Sequence, residues 1–100
     1  MEETGQHRGK RELARMLERM DAYERGSIGL GALIGDLEAL NDSLPDAPEG
    51  WQARFHAHWE ALEEVYAGLA YEGRTQFDDL DRSLVDRSLT NLRRLIHADI

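Results

Sequence analysis

Apolar residues recur along this chain in four separate runs. In each they sit three or four residues apart, the period of one helix face. Leu13, Met16, Leu17, Met20 and Tyr23 make the first run. Leu30, Leu33, Ile34, Leu37 and Leu40 make the second. Trp51, Phe55, Trp59, Leu62, Tyr66 and Leu69 make the third, widened by Val65 and Ala70. Phe77, Leu80, Leu84, Leu89, Leu92, Leu95 and Ile96 make the last, with Val85 alongside. No run alternates with period two, so strands are not expected.

The punctuation between the runs agrees with this division. Gly26 and Gly73 stand where a left-handed C′ residue would close a helix. Ser27 is the N-cap candidate of the second helix, and Asn41-Asp42-Ser43 its end. Asp46-Ala47-Pro48-Glu49 fits a capping box at the start of the third. Thr75 or Asp78 starts the fourth. Helices are predicted over 8–25, 28–41, 47–72 and 76–97, joined by short loops that favour antiparallel neighbours. The expected fold is all-α, a small four-helix bundle in a single domain over 8–100, with 1–7 a disordered tail.

Three glycines fall in the second segment, Gly29, Gly31 and Gly35. Each costs roughly 1 kcal/mol in a helix relative to alanine. Close approach of another helix at Gly31 and Gly35 is the expected compensation, and a frayed first turn near Gly29 is the alternative.

At 100 residues there is one core and no room for a second domain. Cysteine is absent, so there is neither a disulfide nor a thiolate metal site. The first residues are polar and acidic, unlike a signal peptide, and no apolar stretch could span a membrane. A cytoplasmic protein with no membrane contact is expected.

Charge is distributed unevenly. Residues 27–81 carry twelve acidic side chains against Arg54 and Arg74, a local net charge of −10 in a chain of −8. Such a surface attracts a cationic partner and repels a phosphate backbone, so nucleic acid is not expected.

Few residue groups could carry chemistry. His56 and His58, at i, i+2, point about 200° apart on a helix and cannot share a metal. They read as polar residues beside Trp59. Glu60, Glu63 and Glu64 could do acid–base work in a cleft, but no nucleophile, histidine base or Gly-rich loop accompanies them. They read as an acidic face, with a binding surface for basic residues as the functional alternative. Asp78, Asp79 and Asp81 lack the ligand spacing of a calcium loop and read as helix-start acidity. Trp51, Trp59 and Tyr66 lie on the stripe and are expected in the core, whereas Tyr23 and Tyr71, near helix ends, are the better candidates for exposure. No enzyme, cofactor or metal site is expected, and no feature supports a homo-oligomer.

Two stretches carry a resemblance. One is Tyr23-Glu24-Arg25-Gly26-Ser27-Ile28-Gly29-Leu30 followed by Leu33-Ile34-Gly35-Asp36-Leu37-Glu38-Ala39-Leu40. The other is Trp51-x-x-x-Phe55-x-x-x-Trp59-x-x-Leu62-Glu63-x-x-Tyr66-Ala67. Together, over about half the chain, they resemble the small acidic helical immunity proteins of bacterial polymorphic and contact-dependent toxin systems. The resemblance implies a non-enzymatic binding protein that occludes a cognate toxin domain, commonly a basic nuclease. It brings no catalytic residues, and the motifs differ from those of the best-known nuclease-immunity bundles, which leaves the toxin's identity open. The expected partner surface is Asp36, Glu38, Asp42, Asp46, Glu49, Glu60, Glu63 and Glu64. The alternative is an adaptor or secretion-chaperone module that holds its client in an apolar groove beside the helix-2 glycines.

Overall fold

Four apolar stripes of helical period need one another to leave water, and a computed structural model of the chain brings them together. It describes residues 9–44, 47 and 49–99. The expectations for the 1–7 tail and for the cap at Asp46 and Pro48 lie outside the described residues. Helix α1 is Lys10–Glu24, α2 Leu30–Asp42, α3 Trp51–Glu72 and α4 Asp79–Asp99. No strand is present among the described residues. The α3–α4 and α1–α2 pairs pack most closely, and α2 packs on α3 and α1 on α4. The result is an all-α four-helix bundle.

One core runs through it. Leu13, Met16 and Met20 of α1 meet Leu33 and Leu37 of α2, Trp51, Phe55 and Leu62 of α3, and Leu89, Leu92 and Ile96 of α4. Trp51 and Phe55 stack with centroids 5.4 Å apart. The buried Trp59 indole N–H donates to the Ile34 carbonyl at 3.0 Å, tying α3 to α2. Near the other end of that pair, the buried Asn41 side chain donates to Gln52 Oε1 at 2.8 Å.

Each helix begins later than the apolar pattern suggests, because the caps sit inside the predicted spans. Helix α2 starts at Leu30 with Gly29 as its N-cap, not Ser27. The Ser27 N–H is used elsewhere: it bonds the Ala22 carbonyl at 2.8 Å while the Gly26 N–H bonds Tyr23 at 3.0 Å. With Gly26 at φ 83°, this is a Schellman motif closing α1. The same pair of bonds, Arg74 to Leu69 and Gly73 to Ala70, closes α3 at Gly73. Helix α3 starts at Trp51 behind Gly50, whose left-handed φ of 83° turns the chain.

The glycine expectation divides. A Cβ on Gly31 would lie 2.8 Å from the Tyr66 hydroxyl, so α3 does approach closely there. A Cβ on Gly35 would meet nothing within 4 Å. Gly29 stands outside the helix as its cap.

Three large apolar side chains leave the core positions expected of them, and the small Ala70 is exposed as well. Tyr66 is 48% exposed, its ring lying over the first turn of α2, where Gly31 offers no side chain to cover it. Leu80 and Leu84 of α4 are 67% and 36% exposed. Leu84 precedes Leu89 by five residues, which is about 140° around a helix. The two leucines therefore belong to a different face from Val85, Leu89, Leu92 and Ile96. In the other direction, Tyr23 is half-buried against the core. Tyr71 is exposed as expected, at 93%.

Candidate partner-binding surface

Helical register decides where each acidic residue of the expected surface points. On α2, with Leu37 facing the core, Glu38 and Asp42 lie about 100° and 140° round toward α3. Asp36 lies about 100° round the other way, toward α1. There the Arg19 guanidinium reaches its carboxylate at 2.9 Å. On α3, with Leu62 facing the core, Glu63 lies about 100° round on the side where Trp59 and Tyr66 meet α2. Glu60 and Glu64 point about 160° from the core, on either side of the outer edge. Glu60 leans toward α2, and Glu64 leans toward α4, where it borders a groove.

The fold thus gathers Glu38, Asp42, Glu60 and Glu63 on the outer α2–α3 face, all exposed. Glu49 is exposed in the turn that leads into α3. Glu64 stands at the border of that face, and Asp36 is on the opposite flank. Asp46 lies outside the described residues. His56 is exposed near this face, with its ring edge-on to Phe55 and Trp59 at 5.6 and 6.1 Å.

The carboxylates divide into two classes. Asp21 and Glu24 are bridged by Arg93 at 2.9 and 2.8 Å, and Asp36 by Arg19. Arg74 contacts Glu72, Asp78 and Asp81 at 2.5, 3.6 and 2.9 Å. Glu12, Glu18, Glu38, Asp42, Glu49, Glu60, Glu63, Glu64 and Asp86 have no ion-pair partner among the described residues, and six of these nine fall between positions 38 and 64. A carboxylate already paired has less to offer a partner than one facing water alone.

The start of α4 explains its three aspartates. The Asp81 N–H donates to Asp78 Oδ1 at 2.8 Å, and the Asp78 N–H donates back to Asp81 Oδ2 at 3.1 Å. This is a capping box built from two aspartates. The Asp78 N–H and then the Arg74 guanidinium hold the Asp81 carboxyl below its ordinary value, against the upward push of burial. Donating to Asp81 and then to Glu72 pushes Arg74 further up. Burial, followed by the Asp86 carboxylate, raises the Tyr23 phenol against the pull of Arg82. These shifts follow from structural contacts and create no acid–base pair.

Among the described residues, no group of three or more His, Asp or Glu is placed to hold a metal ion. No helix among them is long and apolar enough to cross a membrane. What the apolar spacing concealed is the exposed face of α4 carrying Leu80 and Leu84. The five-residue step from Leu84 to Leu89 is the signal that reveals it. No protein-family model, curated protein or solved structure matches the chain.

Proposed function

We propose that this chain is a non-enzymatic protein-binding domain that captures a basic protein partner, in the manner of an immunity protein that occludes a cognate toxin. The observation that supports this reading is the division of its carboxylates. Arg19, Arg74 and Arg93 pair with acids away from the outer α2–α3 face, while Glu38, Asp42, Glu60 and Glu63 lie on that face, exposed and with no ion-pair partner among the described residues. Grouping like charges on one face costs a few tenths of a kcal/mol per pair. A cationic partner would turn that cost into attraction and raise the rate of encounter.

The adaptor or chaperone alternative needs a client groove beside Gly31 and Gly35. The Tyr66 ring occupies the Gly31 end of it, which favours the acidic face.

The test is co-expression with the product of the adjoining gene. A stable complex is expected, together with relief of any toxicity of that product. Glu60→Lys combined with Glu63→Lys should weaken both. An adjoining product that neither binds nor is neutralised would remove the immunity reading.

A further inference from the structure

The acidic face leaves two exposed leucines unexplained. Leu80 and Leu84 are one turn apart on α4 and point away from the core. Across from them on α3 stand Ala61 and Gly68, two small residues seven positions apart, so the space between the helices stays open. The groove has a volume of about 400 Å³. Glu64 and Glu72 border it on the α3 side and Asp78 on the α4 side. The guanidinium at its end, Arg74, is already engaged by Glu72, Asp78 and Asp81. The groove is therefore apolar along its floor and negative along its rim.

Four occupants differ in how they meet this chemistry. A second copy would set carboxylate rims against each other, with a net charge of −8 on each chain. An anionic bilayer would be repelled in the same way. An extended peptide would find no strand edge, because both walls are helices whose backbone groups are paired internally. A helix with apolar residues on one face and lysine or arginine beside them satisfies both floor and rim. The small side chains at 61 and 68 allow its ridge to enter between α3 and α4.

We propose that the α3–α4 groove seats a basic amphipathic helix of the partner, with its apolar side chains on Leu80 and Leu84 and a cation on Glu64, the rim carboxylate that Arg74 does not engage. The proposal rests on the basic-partner reading and adds to it an apolar anchor next to the acidic face. Glu64 belongs to both surfaces and joins them.

The probe is a designed fourteen-residue peptide (about four helical turns) of leucine and lysine, with leucine at helical spacing on one face. A shuffled peptide of identical composition, which spreads the leucines around the helix, is the control. Binding is measured by fluorescence anisotropy and mapped by amide chemical-shift changes on the intact chain. Tight binding of the amphipathic peptide is expected, with shifts at Ala61, Gly68, Leu80 and Leu84. Leu80→Ser combined with Leu84→Ser should weaken it about tenfold or more, the range of an interface anchor. Both positions are exposed, so the melting temperature should hold, and the shuffled peptide should bind more weakly.

If the double serine variant keeps full affinity and the shifts map to Glu60 and Glu63, the groove proposal is overturned while the acidic face stands. No binding to the wild-type chain also overturns it, and the basic-partner reading is then judged by the Glu60 and Glu63 reversal alone. Sedimentation that shows a wild-type dimer dissociated by the serine pair would assign the groove to a second copy, again overturning the proposal.

Discussion

Trp59 fills the α2–α3 seam and also donates to the Ile34 carbonyl. Trp59→Phe keeps the ring but removes the donor and part of the volume. Destabilisation of about 1–2 kcal/mol is expected, read as a lower melting temperature. An unchanged melt would mean the indole bond contributes nothing net. Gly35 presents the opposite case. It lies inside α2, and a side chain there would meet open space. Gly35→Ala should therefore raise stability by about 0.5–1 kcal/mol, the helix-propensity difference. A loss of stability would reveal a close neighbour at that position. The sequence makes both glycines of α2 look alike, because spacing shows that a residue lies near the apolar face but not what lies over it. Only the position of Tyr66 separates Gly31 from Gly35.

Helix ends are legible where glycine closes them and obscure where it opens them. Gly26 and Gly73 sit at C′ because their left-handed φ is open to glycine at little cost. Gly29 and Gly50 act as N-caps without a side-chain acceptor, so Ser27 draws attention to a place two residues too early. The fourth helix is capped by Asp78 and Asp81 instead. Asp78→Ala removes the acceptor for the Asp81 N–H and should cost about 1 kcal/mol. A melting temperature within error of wild type would show that solvent replaces the cap. The Asp81 carboxyl sits below its ordinary value in the folded chain. Its contribution to stability is therefore present above the ordinary carboxylate range and lost as pH falls through that lower folded value. Asp81→Asn should lower stability at neutral pH and flatten its loss in acid, as measured by urea unfolding across pH. Parallel acid limbs for the two proteins would place the acid sensitivity in other groups. The periodicity also misleads along α4, where two apolar stripes offset by about 140° read as one. The core took Val85 and Leu89 and left Leu80 and Leu84 outside.

Across the molecule, charge is the feature most legible before the fold is known and the one the fold most refines. A run of −10 over residues 27–81 is plain in the sequence. Which of those charges remain free depends on where Arg19 and Arg74 land: Arg19 of α1 reaches Asp36, and Arg74 reaches Glu72, Asp78 and Asp81. Asp36 lies on the α1 flank, paired with Arg19, while Glu38, Asp42, Glu60 and Glu63 stay on one face. A surface of that kind acts mainly on encounter, since charge complementarity governs association rate and fades with screening. The most direct test is the association rate of the adjoining gene's product with this chain, measured by stopped flow as ionic strength rises. The rate should fall steeply with salt. Glu60→Lys with Glu63→Lys should slow it about tenfold or more at low salt, while the melting temperature stays within a few degrees. A rate that is flat in salt and indifferent to the two reversals would contradict the acidic face as the partner surface.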